Sequence, residues 1–390
     1  PPADLGKKAV RSYGIGKLGP GEVATLRWDG LVPSVGGDKV LHAGEAELAF
    51  HIFGEAPETP AEHVSTAFAK VTQGQPISAV VGNAGSRLCL VLEDSGDAYA
   101  LMETWNGSAW QRTGSIYPLA QLSIRMEESG VLKIPFLVRS LEATDATLRV
   151  QGVASHGGKE WGISLAFAPD SENPRIEMCA ELTAPEDAGI LSFYGPSVLA
   201  GDRTYGAAKD FAIFPGLEYL EGPEESSSER DLRYPLSDRR VPAAYKIATP
   251  LLAVQAQGSL TALLWDMKQE WGAGEIYPAA RFLAPKLNSG MEYIHMALFA
   301  PSVGKYVKEN DSDAAKEPYP IKAGEKLRLV STLVLDHSAR YAPDSMVNGP
   351  HKGALVLQAM QHWFDVYGMP EPSPQPRDWD AERALCRDAY

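Results

Sequence analysis

"RIEMCAEL" (residues 175–182) alternates apolar and polar side chains at every second position. Ile176, Met178, Ala180 and Leu182 therefore fall on one side of an extended chain, and the residues between them fall on the other. A period of two is typical of a β-strand that covers a core with one face. The same period recurs in "ELAFHIF" (47–53), "TLRVQGV" (147–153), "GISLAF" (162–167) and "KLRLVSTLVL" (326–335). The sequence thus predicts a protein made mainly of strands.

The segment "EYIHMALFA" (292–300) differs because both of its faces are mostly apolar. One face carries Tyr293, His295, Ala297 and Phe299. A strand of this kind is predicted to lie centrally, with material packed on both sides. His295 is then either a core histidine with its hydrogen bonds satisfied, or, if its face borders a cleft, a residue that binds or protonates a sugar oxygen.

About eighteen to twenty such strand candidates can be counted, separated by clusters of turn residues. Asn106-Gly107 in "WNGSAW" (105–110) is one of these clusters and predicts a tight hairpin. So many strands exceed what one small barrel holds. The predicted fold class is therefore mainly β, with two large antiparallel sheets packed face to face and a short helical linker at the C-terminal end.

The pattern changes after Pro350. "GALVLQAMQHWFDVYG" (353–368) has apolar residues at helical spacing and ends in Gly368, where a helix C-cap is expected. "PEPSPQP" (370–376) is predicted to be a stiff, extended spacer. Asp378 can then cap a second helix. We expect these helices to be a linker and the start of a further, helical domain.

The composition limits the classes of partner. The 390 residues carry a formal net charge of −14, which disfavours nucleic acid and anionic membrane surfaces. No run of 18 apolar residues and no signal peptide is visible, so we expect no membrane span.

The three cysteines, Cys89, Cys179 and Cys386, form no CxxC motif, and a Cys89–Cys179 bridge is left open.

No specific catalytic motif is present: the sequence has no GxSxG, HExxH or P-loop, and no GxGxxG that opens a helix. The eight histidines are scattered, and none is paired at metal-ligand spacing. We therefore expect neither a metal nor a cofactor, and the catalytic residues stay unknown at this stage.

Two clusters combine acids with aromatic rings, a combination that suits sugar binding because rings stack on C–H faces and carboxylates accept bonds from hydroxyls. The first contains Glu218 and Tyr219, within 214–235. Paired carboxylates catalyse glycoside hydrolysis, but Glu218 and Glu221 are three residues apart in a strand-like stretch and should face opposite ways. The alternative is that these acids belong to a solvated loop rim.

The second cluster is "LLWDMKQEWGAGEIYP" (263–278), which contains Trp265, Asp266 and Trp271. Trp265 is predicted to end a strand inside the core. Trp271 lies beside two glycines in a loop, where it is either a stacking platform for a sugar or an ordinary loop residue. Asp266 and Trp271 are the predicted substrate contacts of this cluster.

In its order of parts, the chain resembles carbohydrate-active enzymes that have a galactose-mutarotase-like β-supersandwich followed by an (α/α)6 toroid. The segments that carry the resemblance are "FPGLEYLEG" (214–222), "LTALLWD" (260–266), "EYIHMALFAPS" (292–302) and "GALVLQAMQHWFDVYG" (353–368). The resemblance implies a β-supersandwich domain at 1–350, and a helical linker with the start of a toroid-type domain at 351–390. In such hydrolases the catalytic acids lie in the toroid, so no residue here inherits them.

Three functions follow from these observations. The first is a supersandwich domain of a bacterial glycoside hydrolase that supports and walls the active cleft, with a polysaccharide or oligosaccharide and a C-terminal helical domain of the same protein as partners. The second is a stand-alone carbohydrate-binding module. The third is a complete mutarotase-type epimerase or lyase, with His295 and Glu218 as acid and base. A secreted or periplasmic location is expected, with the cytoplasm as the alternative.

Overall fold

The computed structural model of the chain describes residues 37–43, 46–52, 77–125, 131–144, 146–201, 209–222, 224, 226, 242, 244–256, 258–269, 277–284, 294–301, 317–337, 354–368 and 378–388. The strands within them are β1 (Gly37–Ala43), β2 (Ala46–Ile52), β3 (Ala79–Gly82), β4 (Ser86–Leu92), β5 (Ala98–Trp105), β6 (Trp110–Ile116), β7 (Gln121–Arg125), β8 (Val131–Ala143), β9 (Leu148–His156), β10 (Lys159–Pro169), β11 (Arg175–Thr183), β12 (Ala188–Tyr194), β13 (Val198–Ala200), β14 (Phe211–Phe214), β15 (Glu218–Glu221), β16 (Leu251–Ala256), β17 (Ser259–Leu264), β18 (Ala279–Leu283), β19 (Ile294–Ala300), β20 (Tyr319–Ile321) and β21 (Lys326–Asp336). The helical elements are a 3-10 turn at Ala244–Lys246, α1 (Ala354–Tyr367) and α2 (Trp379–Asp388).

The strands form two large antiparallel sheets, while β1 and β2 pair with each other in a separate hairpin. The first sheet has the order β18-β19-β13-β6-β5-β4-β3. β12 lies in line with β13 and extends this sheet by pairing with β7 on one side and with β19 and β20 on the other. β19 thus has neighbours along both edges, which confirms its predicted central place.

The second sheet has the order β8-β9-β10-β11-β21-β17-β16-β14-β15. β8 joins the two sheets, because its residues 131–135 pair with β7 and its residues 136–143 pair with β9. A register shift between Val138 and Ser140 accompanies this change of sheet, as bulges do where a strand bends.

One large hydrophobic core lies between the facing sides of the sheets. Its side chains come from alternate positions of the strands, as in β11, where Ile176, Met178, Ala180 and Leu182 are all buried. Phe214 of the second sheet stands edge-on to Trp265 at 6.5 Å and to Phe282 of the first sheet at 6.2 Å between ring centroids. Trp265 therefore belongs to the core, as the sequence predicts.

The predicted mainly antiparallel β-fold is thus confirmed, with its two facing sheets continuous through β8, as is the short helical segment near the C-terminal end. The Asn106-Gly107 hairpin joins β5 to β6, with the Asn106 side chain accepting bonds from the amides of Ser108 and Ala109. Gly368 has a φ of 79° and donates to the carbonyl of Phe364, which is the expected C-cap of α1. Asp378 caps α2 by accepting a 2.7 Å bond from the amide of Ala381.

α1 packs on the outer face of the second sheet. Ala359 is fully buried there in an apolar cluster. The sheet contributes Phe211, Ile213, Leu251, Ala253, Leu260, Ala262, Leu264 and Val334 to this cluster, and Met360, Trp363 and Tyr367 of α1 pack against it.

A buried polar group completes this helix contact. Asp336, the last residue of β21, accepts a 3.0 Å bond from Nε2 of Gln358 and lies 3.3 Å from Nε2 of His362. All three side chains are buried. A buried carboxylate requires such partners, so α1 is held by this polar contact as well as by apolar packing.

We expect His362→Ala to lower the free energy of unfolding by about 3 kcal/mol, because it deprives a buried carboxylate of one of its partners. Leu357→Ala is the matched control, since Leu357 lies on the same helix with half its surface exposed and should change stability by less than about 0.5 kcal/mol. Urea unfolding of both variants measures the difference. Equal stabilities would show that the Asp336–His362 pair does not hold α1.

Candidate functional site

His295 points outward from the first sheet, because its neighbours along β19 enter the core. Its Cα partners are Leu199 in β13 and Leu283 in β18, and Leu199 lies opposite Ser115 in β6. Partners across antiparallel strands share a face, so these four side chains form one row on the outer face of the first sheet. The row contains apolar residues around a single imidazole and one hydroxyl.

The imidazole of His295 is held neutral. Burial lowers its pKa from 6.5 to about 3, and the positive charges of Arg281 and Lys133 act in the same direction. The side chain as a whole is partly exposed, but its Nε2 atom is buried and has no hydrogen-bond partner among the described residues. Buried polar atoms are rarely left in this state, so this nitrogen is a natural contact point for a ligand.

Further along the same face lie aromatic rings and hydroxyls. Tyr194 and Phe299 stack at 4.6 Å between centroids with an interplanar angle of 20°. Ser123 of β7 is fully buried, and its Oγ also lacks a hydrogen-bond partner within the described part of the chain. The two rings are themselves buried with Ala279 and Ala297. The groups on this face that can bind a polar, uncharged molecule are the neutral imidazole, the guanidinium and the hydroxyls.

Glu218 lies elsewhere, in β15 at the edge of the second sheet. Its side chain is buried and accepts a 2.9 Å bond from Oγ of Ser226. The amide of Ser226 donates to the carbonyl of Ala284, just after β18, and its Oγ accepts from the Ala284 amide. Glu218 therefore takes part in joining the edge of the second sheet to the edge of the first, and it does not face His295.

Tyr219 follows Glu218 in β15 and points the other way. It is 56% exposed and meets Phe211 edge-on, with 6.4 Å between the ring centroids. Glu221 is likewise exposed, so Glu218 and Glu221 do face opposite sides of the strand, as their spacing predicts. Tyr219 is available to solvent but lies on a different sheet from His295.

Asp266 comes just after β17 and is exposed, and its Oδ1 accepts a 2.8 Å bond from the amide of Lys268. Its negative charge helps to raise the pKa of Tyr367 in α1 to about 12, after burial as the main cause, so it lies close to the helix. Trp271 lies outside the described residues. The predicted sugar contacts thus occupy separate places, and Asp266 and Glu218 do not join His295.

The sequence did not indicate the other polar and aromatic residues on the face of His295. Arg281 sits in "AARFLAP" (279–285), where it alternates with core residues and reads as an ordinary solvated charge. Only the register between β18 and β19, which sets Arg281 opposite Ala297, brings it close to the imidazole. Ser123 and Tyr194 carry no local signal of a site, because their place depends on the pairing of β7 with β12.

Two negative findings concern the described residues alone. No group of three or more His, Cys, Asp or Glu side chains there could hold a metal ion. Neither of the two α-helices found there has the length and apolar character needed to cross a membrane.

The three cysteines are free: Cys89 lies on the outer face of the first sheet and Cys179 on that of the second, so the bridge left open by the sequence does not form.

Comparisons with known proteins give matches by structure alone. No protein-family model and no curated protein matches the chain. A galactose mutarotase-like protein from Lactobacillus casei ATCC 334 matches with a TM-score of 0.38 at 11% identity, covering 66% of this chain and 99% of that chain. A putative aldose 1-epimerase from Escherichia coli K12 matches with a TM-score of 0.35 at 10% identity, covering 66% and 98%.

The GH36 α-galactosidase AgaB from Geobacillus stearothermophilus matches with a TM-score of 0.39 at 10% identity. The match covers 67% of this chain and 41% of that enzyme, so the chain spans about two fifths of its length. These neighbours are of the kind that the sequence resemblance names. Their TM-scores lie below 0.5, and the sandwich fold is assigned from its own strand pairing.

The neutral state of His295 can be tested by an NMR titration. With a pKa of about 3, its ring resonances should not shift between about pH 8 and pH 5. Arg281→Gln should raise the pKa, because it removes one of the two nearby positive charges. A midpoint near the ordinary value of 6.5 in the unaltered protein would contradict this electrostatic description.

The same shift has a consequence for stability. The unfolded chain takes up the proton first, so His295 stabilises the folded state above pH 6.5 and loses this effect as the pH falls towards 3. Between about pH 7 and pH 5 the loss is on the order of 2 kcal/mol. His295→Phe should flatten the pH dependence of unfolding over this interval.

Proposed function

We propose that the chain is a β-sandwich domain of a carbohydrate-active enzyme, and that a sugar lies on the outer face of the first sheet at His295. The observation that carries this proposal is the buried Nε2 of His295, which has no partner among the described residues and lies beside Arg281 and Lys133. A buried polar atom without a partner calls for an explanation, and a ligand that completes its hydrogen bonding is one such explanation.

The chemistry of the face fits a neutral polyol better than an ion. A neutral imidazole can donate or accept one hydrogen bond, and a guanidinium can donate several to hydroxyl oxygens. The stacked rings of Tyr194 and Phe299 lie on the same face, but both are buried with Ala279 and Ala297, so the hydrogen-bonding groups and not these rings support the sugar contact. The net charge of −14 disfavours nucleic acid as the ligand.

Within this reading, the domain supports and walls the active cleft of a glycoside hydrolase whose catalytic acids come from a helical domain of the same protein. The outward side of α1 supports such a partner, because Leu357 is exposed there although it is a large apolar residue. Trp379 of α2 is 72% exposed and adds a second apolar contact. Glu218 and Asp266, the two acids that the sequence singles out, are held in separate places by Ser226 and the Lys268 amide, which also favours this division of roles.

A stand-alone sugar-binding module is the second candidate, and the His295 face favours it equally. It differs in needing no partner for the outward side of α1. The complete mutarotase-type enzyme is less well supported. It needs an acid and a base in one cleft, whereas Glu218 points into the edge of the sandwich and His295 points away from it.

Binding of raffinose and stachyose to the full chain is the first test, since these sugars were bound to GH36 α-galactosidase AgaA in two of the similar solved structures. His295→Phe keeps an aromatic ring and removes both nitrogens, so it should weaken binding about tenfold, the effect of one hydrogen bond of about 1.4 kcal/mol. Isothermal calorimetry measures the change.

His156→Phe is the matched control, because His156 is an exposed histidine at the end of β9 in the second sheet. It should bind the sugars as the unaltered chain does. Affinities that are equal in the His295 and His156 variants would exclude His295 from the site.

We further expect the 390-residue chain to show no turnover of nitrophenyl glycosides. Hydrolysis needs two carboxyl groups about 5–5.5 Å or about 6.5–9.5 Å apart. Glu218 and Asp266 are held in different places, by Ser226 and by the Lys268 amide respectively. Turnover that is abolished by Glu218→Gln or Asp266→Asn would favour a complete enzyme, with an active α-galactosidase as the positive control of the assay.

A further inference from the structure

Two tryptophans stand on the outer face of the first sheet at the hairpin between β5 and β6. Trp105 and Trp110 are directly opposite each other in the strand register. Their rings meet edge-on, with 5.6 Å between centroids and an interplanar angle of 61°. Trp105 leaves 39% of its surface exposed, which is unusual for so large an apolar side chain on a regular strand.

The rings are held in place by charged neighbours. The guanidinium of Arg87 lies 4.1 Å from the centroid of Trp110. Arg87 in turn bonds Oε2 of Glu103 through both Nε and a terminal nitrogen, each at 2.7 Å. The guanidinium of Arg87 thus holds the ring of Trp110 in place, and the ring of Trp110 packs edge-on against Trp105. An aromatic surface that is ordered in advance loses little entropy when a ligand binds.

Local sequence accounts for this arrangement. The Asn106-Gly107 turn sets the register that places the two tryptophans opposite each other. A register shift follows between Met102 and Glu103, and Gly114 lies opposite Met102 at this shift. A Cβ atom at Gly114 would come within 2.2 Å of the carbonyl oxygen of Leu199, so only glycine permits β6 and β13 to pair here.

This tryptophan pair shares its face with His295. Every second residue of β5 from Leu101 to Trp105 points outward. Leu101 is the strand partner of Ser115, Ser115 that of Leu199, and Leu199 that of His295, so all of them share one face. At about 3.3 Å per residue and about 4.8 Å between strands, Trp110 and His295 are roughly 15–20 Å apart. A single sugar ring cannot contact both places, whereas a chain of several rings can.

We propose that Trp105 and Trp110, with Glu103 and Arg87 at their border, form a second subsite for a neutral oligosaccharide whose other part lies at His295. This inference rests on the proposed function. Ring stacking on an exposed, ordered tryptophan supplies the apolar contact, and the neighbouring carboxylate and guanidinium supply acceptors and donors for hydroxyls. The ligand class is therefore a neutral sugar chain of several rings, free or within a polysaccharide, rather than a monosaccharide.

The test is affinity electrophoresis of the full chain in native gels that contain galactomannan, xyloglucan, mixed-linkage β-glucan or soluble starch. The unaltered chain should be retarded by at least one of these polymers. Trp105→Ala should weaken that binding about three- to tenfold, the effect of one aromatic contact. Trp105→Tyr keeps a ring at this position and should retain part of the retardation, which separates loss of stacking from misfolding.

Trp379→Ala is the matched control, because Trp379 is more exposed than Trp105 but lies on α2, away from the proposed subsite. This variant should migrate as the unaltered chain does. Equal retardation of the Trp105 and Trp379 variants, or no retardation of the unaltered chain by any polymer, would overturn the second subsite. Loss of retardation in Trp105→Ala but not in His295→Phe would keep this subsite and exclude the His295 site. The reverse result would keep the His295 site alone.

Discussion

The burial of two sheets against each other is the constraint on which the rest of the structure depends. Each strand gives alternate side chains to the shared core, so the remaining side chains must lie on one of two outer faces. β8 makes this arrangement continuous, because one strand pairs with β7 at its start and with β9 at its end. Any residue with a function other than packing therefore lies on an outer face or at an edge.

The two outer faces of the sandwich carry different groups. On the second sheet, α1 covers a largely apolar area, and the Asp336–His362 pair adds a buried polar interaction to that contact. The first sheet leaves a neutral histidine and an ordered pair of tryptophans on its outer face. The contrast explains why the proposed sugar contacts lie on the first sheet, while α1 packs on the second.

The edges account for residues that look functional in the sequence. Ser226 links Glu218 at the edge of the second sheet to Ala284 beside the edge of the first. Phe214, Trp265 and Phe282 fill the interior with aromatic rings. Glu218 and the nearby ring of Phe214 thus hold the two sheets together. A cluster of acids and aromatic rings in a sequence is therefore, by itself, a weak indication of a sugar site.

The sequence by itself determined the strand class, the two-sheet arrangement, the hairpin at Asn106-Gly107 and the caps at Gly368 and Asp378, because periodicity and turn chemistry are local properties. It also identified His295 as a residue on a central strand with two possible roles. Tertiary structure alone decided what surrounds that residue. Leu199 and the tryptophan pair share this face because β6, β13 and β19 pair although they are distant in sequence, and Arg281 shares it through the register of β18 with β19. A shift of one residue would have turned each of them inward.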